Sequence, residues 1–377
     1  MDIVVKYIDE LLEKSTPQLP MWNIEKLKQG NNSTWNYIDG CMIKAVLAMY
    51  TITKEEKYLK FADEFIDYRV NEDGTINGYD INEKNIDNVN AGKTLFELYD
   101  LTGKEKYRKA IDLVYSQIEI MPRTASGNFW HKLIYPQQVW LDGLYMGQPF
   151  YMEYETRFNN KKNYSDIYNQ FRFVINNMRN PLNGLYFHAM DTSREAFWCD
   201  KVTGLSQCTW LRASGWYAMA LLDTLEKTDL SDEKYAEDNK MIKDAFIDLI
   251  DSMLKYQDES GMWYQVVNYG GMDKNYLETS GSSIFAYAIL KAVRLGVLPE
   301  SYRAYAEKAI DGIISKYLRQ DENGMGLGGI CLVAGLGGAS RRPGTYDYYM
   351  SEPIVEDDAK GVGPFLLAYT ELLMYKK

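Results

Sequence analysis

The chain has 377 residues, 46% of them hydrophobic, a length at which two domains or one large closed architecture are the starting alternatives. A formal net charge of −11 argues against nucleic acid and anionic membrane surfaces as partners. The 31 Tyr and 8 Trp suit a core and a sugar-stacking cleft equally well, while only two His exclude a His-rich metal site.

The first segment, MDIVVKYIDELLEK, has the pattern of an acidic amphipathic helix and lacks the basic-then-apolar order of a signal peptide. Apolar residues then recur at helical spacing, predicting helices near 1–14, 36–52, 55–69, 88–102, 104–119, 137–158, 161–178, 205–226, 234–256, 278–295, 300–317 and 359–376. No window approaches transmembrane length. The helices repeat in pairs. AVLAMYTITKEEKYLKFADEFIDY and GKTLFELYDLTGKEKYRKAIDLVY share a helix, a turn ending in Lys-Tyr and a second helix, and weaker copies follow.

Short connections (53–54, 103, 159–160, 227–233, 296–299) alternate with long, glycine-bearing ones (15–35, 70–87, 120–136, 179–204, 257–277, 318–358). Six hairpins closed into a ring give an all-α (α/α)6 barrel, a single domain over 1–377 with no sheet and with every long connection at one end. An open solenoid is the rival topology. Closure is favoured because the first and last helices are amphipathic rather than polar caps. Cys41, Cys199, Cys208 and Cys331 show no CxxC spacing, and free thiols in a cytoplasmic protein are the simplest account.

The chemically unusual residues fall in the long connections or in the first turns after them. These are Trp35 and Tyr37; Asp87 and Asn88; His131 and Lys132; Trp140 and Asp142; His188; Trp210, Arg212 and Trp216; Arg341 and Arg342. Loops on a rigid scaffold commonly carry function, so these segments predict one cleft lined by aromatics, two carboxylates and several cations. Each has a bland reading beside it. Asp87 could only cap the helix that follows, and His188 could be a satisfied buried imidazole. Trp210, Trp216 and Arg212 could be packing with a surface cation. Asp142 is harder to dismiss. In QQVWLDGLYMGQPFYMEY it sits between Trp140 and Leu144, where the periodicity calls for a core residue, and Pro149 further on should kink the helix.

The segments VWLDGLYMGQPF, GLYFHAMD, WLRASGWYAMALLD, ETSGSSIFAYAILKA and SEPIVEDDAKGVGPFLLA resemble the unsaturated rhamnogalacturonyl hydrolases of glycoside hydrolase family 105, relatives of the unsaturated glucuronyl hydrolases of family 88. The resemblance runs from the first helix to the last. It implies an (α/α)6 barrel with no metal and no cofactor, acting on lyase-generated oligosaccharides that end in a 4,5-unsaturated uronic acid. It also implies roles: Asp142 as general acid/base, Asp87 as its partner, and His188, Arg212 and Trp216 at the substrate. Lys132 is the expected holder of the uronate carboxylate, with Tyr37, Asn88, Trp140 and Trp210 as further substrate contacts.

The implied chemistry needs one carboxylic acid to protonate C4 of an enol ether and then to help water add at C5. That acid must be protonated near neutral pH, and burial against Trp140 with a like charge from Asp87 is expected to raise its pKa. Three readings compete with a family 105 hydrolase acting on an unsaturated galacturonyl–rhamnose product. They are a family 88-like glucuronyl hydrolase, an (α/α)6 epimerase, which would need paired His bases, and a non-catalytic helical repeat that binds through its loop face.

Overall fold

Helix α1 (Ile3–Glu13) begins where the Asp2 carboxylate accepts from the Val4 N–H, and it turns Val4, Tyr7, Ile8, Leu11 and Leu12 inward. The structure, a computed structural model, describes residues 2–322 and 324–375. Met1 and Lys376, which the expected terminal helices include, lie outside the described residues, as does Asn323 of the last long connection.

A short helix α2 (Ile24–Gln29) follows, then the hairpin of α3 (Tyr37–Thr53) and α4 (Glu56–Asp67). A 3-10 turn over Ile86–Gly92 runs directly into α5 (Lys93–Thr102), which pairs with α6 (Glu105–Ile120). Next come β1 (Gln138–Trp140), α7 (Leu141–Phe158), α8 (Tyr164–Asn177), β2 (Ala189–Asp191), α9 (Leu211–Lys227) and α10 (Ala236–Leu254). The last third holds α11 (Thr279–Arg294), α12 (Arg303–Tyr317), β3 (Leu318–Asp321), β4 (Gly324–Leu327), β5 (Ile330–Cys331), α13 (Tyr346–Ser351), β6 (Ile354–Val355) and α14 (Ala359–Met374).

The ring closes. In order, α3, the 3-10 turn with α5, α7, α9, α11 and α14 each pack on the next, and α14 packs back on α3. Outside them, α4, α6, α8, α10 and α12 each lie on the inner helix that precedes them in the chain. Helix α1 takes the remaining outer place beside α4, where the Tyr58 hydroxyl donates to Asp9 at 3.0 Å. The solenoid alternative is therefore excluded, and the all-α (α/α)6 barrel stands.

Inner and outer helices differ in the way their sequences dictate. Helix α4 buries only Tyr58, Ala62, Phe65 and Ile66, one stripe at helical spacing. Helix α11 is buried from Thr279 through Val293, because it meets neighbours on every side. A fully buried Leu or Phe such as Leu141 or Phe150 contributes about 1.5–3 kcal/mol relative to exposure.

Two expectations need correction. The molecule is not free of strands: β1 pairs with β2, β3 with β4 and β5 with β6 in three two-stranded antiparallel ladders within the long connections. The expected helices at 137 and 205 begin late, at Leu141 and Leu211, because Gln138–Trp140 is extended against Ala189–Asp191 and Trp210 bridges to Val266. Asp142 thus lies in the first turn of α7, not in its interior. The chain stays helical through Pro149.

Candidate active site

The inner helices all begin at the end that carries the long connections, so their amino termini converge. Asn36 caps α3, Glu278 caps α11 and Asp358 caps α14, each accepting backbone N–H bonds there. Helix amino termini carry partial positive charge, which favours an anion at this mouth. A cavity of about 220 Å³ opens there, lined by Glu25, Tyr37, Asp87, His131, Lys132, Tyr135, Trp140, Asp142, Met146, Trp210, Arg212, Trp216, Val333, Ala334 and Arg342. Drug-sized sites run from about 300 Å³ upward, so this one suits a single sugar ring.

Asp142 is placed by the β1–β2 ladder. Trp140 pairs with Ala189, and the Leu141 N–H donates to the His188 carbonyl at 3.1 Å. This puts His188 Nε2 3.1 Å from Asp142 Oδ2. The other ring nitrogen, Nδ1, is 2.7 Å from the Tyr349 hydroxyl. If Tyr349 donates to Nδ1, the Nε2–H is left to face the carboxylate. Burial is the largest single influence on the Asp142 pKa and works to raise it, but His188, His131 and the backbone together more than offset it, and the carboxyl is held below its usual range. The expectation that burial and Asp87 would raise it is therefore overturned.

Asp87 does not cap a helix. The cap of its 3-10 turn is Asn85, which accepts from the Asp87 N–H. The Asp87 carboxylate instead lies 2.7 Å from Lys132 Nζ and 3.6 Å from His131 Nε2. Lys132 was expected to be available for a substrate carboxylate, yet it is already paired with Asp87. Burial depresses the His131 pKa to about 4, so the ring between Asp87 and Asp142 is neutral at physiological pH.

The aromatic residues form stacked walls. His131 lies on Trp140 with centroids 4.5 Å apart and planes 7° from parallel, and Tyr135 stacks on the same indole at 5.1 Å. Trp216 stacks on Tyr145 at 4.9 Å, and the Arg212 guanidinium sits 4.7 Å from the Trp210 ring. Arg212 is buried and donates to the carbonyls of Cys331 and Leu332 and to the Ser280 hydroxyl. Burial disfavours its charge, yet Cys331 and Glu278 hold its pKa above the ordinary value. Arg342 lines the cavity and bonds the Tyr135 hydroxyl at 2.9 Å and the Gly337 carbonyl at 3.2 Å, while its charge also acts on Glu352.

Tyr37, Asp87, Lys132, Trp140, Asp142, Trp210, Arg212 and Trp216 thus line one cavity, as the sequence led us to expect. Two expected contacts do not. Asn88 points outward to Glu83 at 3.1 Å, and His188 is fully buried behind Asp142. Arg341 lies over Phe197, 4.7 Å from its ring, instead of lining the cavity. Sequence reasoning missed Glu25, Tyr135, Met146, Val333, Ala334 and Tyr349. Glu25 sits on the unexpected helix α2, and Tyr349 on α13 within the last long connection. Among the described residues no three His, Cys, Asp or Glu side chains gather as a metal site, and no helix is long and apolar enough to cross a membrane. All four cysteines are buried and unpaired.

The model for Glycosyl Hydrolase Family 88 matches residues 7–376. The fold superposes on a family 105 glycoside hydrolase of C. acetobutylicum ATCC 824 with a TM-score of 0.89, at 42% identity and covering 98% of each chain. An unsaturated glucuronyl hydrolase from Streptococcus agalactiae shares the fold alone, at 16% identity and a TM-score of 0.66, covering all of this chain and 93% of the other. The unsaturated rhamnogalacturonyl hydrolase YesR of Bacillus subtilis (strain 168) is 24% identical over 286 residues, 74% of this chain and 75% of its own.

Proposed function

The chain belongs to glycoside hydrolase families 88 and 105, and from that premise we propose that it releases the 4,5-unsaturated galacturonic acid from lyase-generated rhamnogalacturonan oligosaccharides. The observation that carries this reading is the inequality of the two carboxylates. Asp87 is clamped by Lys132 at 2.7 Å, while Asp142 faces the His188 imidazole at 3.1 Å in a cavity of aromatic and cationic residues. An ordinary glycosidase needs a separate acid and a separate base or nucleophile. Hydration of an enol ether needs one acid that acts twice.

In the proposed mechanism the substrate carboxylate is held by Arg212 and Arg342 at the convergent helix amino termini, and the sugar ring lies against Trp216 and Trp140. Asp142 delivers a proton to C4, and the positive charge is shared between C5 and the ring oxygen. The ionised Asp142 then accepts a proton from water as its oxygen bonds to C5. The hemiketal opens, C1 releases the aglycone, and the sugar becomes a linear keto-aldehyde. Because His188 holds Asp142 ionised in the free protein, the proton must be taken up as substrate binds. The sugar ring closing over Asp142 excludes water, and that desolvation raises its pKa at that moment.

The test is a panel of lyase-generated disaccharides, assayed by loss of the enol absorbance, with the saturated galacturonyl–rhamnose disaccharide alongside. Turnover of the unsaturated galacturonyl–rhamnose compound and none of the saturated one is expected. Comparable cleavage of the saturated sugar would mean that ordinary displacement is operating. Faster turnover of an unsaturated glucuronyl product would favour the family 88 substrate class, whose members share this fold.

A further inference from the structure

Pro149 raises a question that the reaction does not answer. In a helix the N–H of residue 149 would donate to the carbonyl of Tyr145, but proline has no N–H and its ring crowds that oxygen. Helix α7 is buried along almost its whole length, and an unpaired carbonyl inside a packed core is destabilising. The missing donor comes from another helix. Lys93 Nζ, at the start of α5, donates to the Tyr145 carbonyl at 2.9 Å. The same nitrogen lies 3.3 Å from the centroid of the Tyr145 ring.

This contact touches the site through two routes. Tyr145 is one helical turn after Asp142, so the carbonyl that Lys93 holds belongs to the turn that carries the candidate acid. The Tyr145 ring is also the face on which Trp216 stacks, 4.9 Å away and 7° from parallel, and Trp216 lines the cavity. Lys93 directly follows the 3-10 turn that bears Asp87. One amine therefore ties together the two inner elements that supply both carboxylates. We propose that Lys93 is a positioning residue for the hydrolase: it replaces the donor that Pro149 removes and so fixes both Asp142 and the Trp216 platform.

Desolvation pushes the Lys93 ammonium down to about 7, with Asp223 and Cys41 opposing and Lys44 and Lys291 adding to the fall. Charged or neutral, the amine keeps N–H bonds, so the contact with the carbonyl outlasts its titration. The lysine is thus held for a hydrogen bond to a neutral acceptor and to a ring face, a use that an ion pair would not predict.

The inference rests on Asp142 and Trp216 acting at the substrate, and its test separates that premise from Lys93 itself. Lys93→Met keeps the length and loses the donor. It is expected to lower kcat about tenfold with KM changed less than about threefold, since small misplacement of reacting groups costs rate, and to lower Tm by about 2–6 °C. Pro149→Ala restores the N–H of residue 149. Alone it should change kcat less than about twofold, but in the Lys93→Met background it should recover most of the lost kcat and Tm.

A purely volume-filling lysine predicts no such rescue. Parent kcat and Tm in Lys93→Met, or a double variant no better than the single, overturns the proposal. Should Lys93→Met fail to fold, Pro149→Ala is expected to restore folding, and continued failure also overturns it. A parent protein inactive on every unsaturated uronide defeats the functional reading alone, because the rescue of Tm still reports on Lys93.

Discussion

His188 Nε2 stands 3.1 Å from Asp142 Oδ2, and this contact, not the distance to Asp87, governs the charge on the candidate acid. Burial pushes the carboxyl up, and His188 with smaller help from His131 pulls it further down, so the free protein holds it ionised. A step that needs protonated Asp142 loses rate as pH rises through that depressed pKa. His188→Asn removes the pull, and the alkaline limb of kcat/KM should move to higher pH. The sign for stability is opposite in sense: a depressed folded pKa stabilises above the unfolded pKa and is lost as pH falls through the folded one. The variant should therefore be less stable at neutral pH, with the deficit shrinking in acid. Parallel pH–rate and pH–melting profiles check both signs, and a limb that stays in place would reject the assignment.

Asp142→Asn keeps the shape of the side chain and loses the transferable proton. Turnover should fall by about 10²–10⁴, the usual range for loss of a general acid/base, while binding of the unsaturated disaccharide is largely retained. Titration calorimetry beside the absorbance assay separates the two quantities, and near-parent turnover in a folded variant contradicts the role.

Asp87→Asn bears on the neighbouring carboxylate. Because Lys132 already neutralises Asp87 at 2.7 Å, its removal should leave the alkaline limb where it is, in contrast to His188→Asn. The cost should appear in stability, since Lys132 keeps a charge in a mostly enclosed site with a weaker partner; about 1–3 kcal/mol is expected from denaturant unfolding. A limb shifted to lower pH would restore the like-charge argument that the structure removes.

Gly143→Ala tests how closely α7 meets the loop that bears His131. A Cβ at residue 143 would lie 2.9 Å from His131 Nδ1, so the imidazole must shift. Overpacking of this kind costs about 1–3 kcal/mol. The displaced ring would also disturb its stacking on Trp140, so kcat should fall together with stability. Unchanged activity and melting temperature would show that the ring yields freely.

What the sequence determined by itself is the barrel and the end at which to look. Alternating connection lengths and all-round apolar helices such as Thr279–Arg294 follow from local periodicity, which depends only on residue order. The same order places Asp87, Asp142 and Arg212 at the starts of inner elements, so their convergence was legible once the ring was assumed. Pairing was not legible. Nothing near Asp142 indicates that His188 lies against it, because the three-residue strands that join them are too short to carry a period, and their register is decided by the packed loops around them. Glu25, Val333 and Ala334 reach the cavity, and Tyr349 reaches His188 behind it, from long connections whose paths depend on contacts with remote parts of the chain. The direction of the Asp142 pKa shift went the same way. Burial could be foreseen from the flanking apolar residues, but the imidazoles that help to outweigh it are neighbours only in space. Electrostatic environment is a sum over distances, and distances between remote segments exist only once the chain has folded.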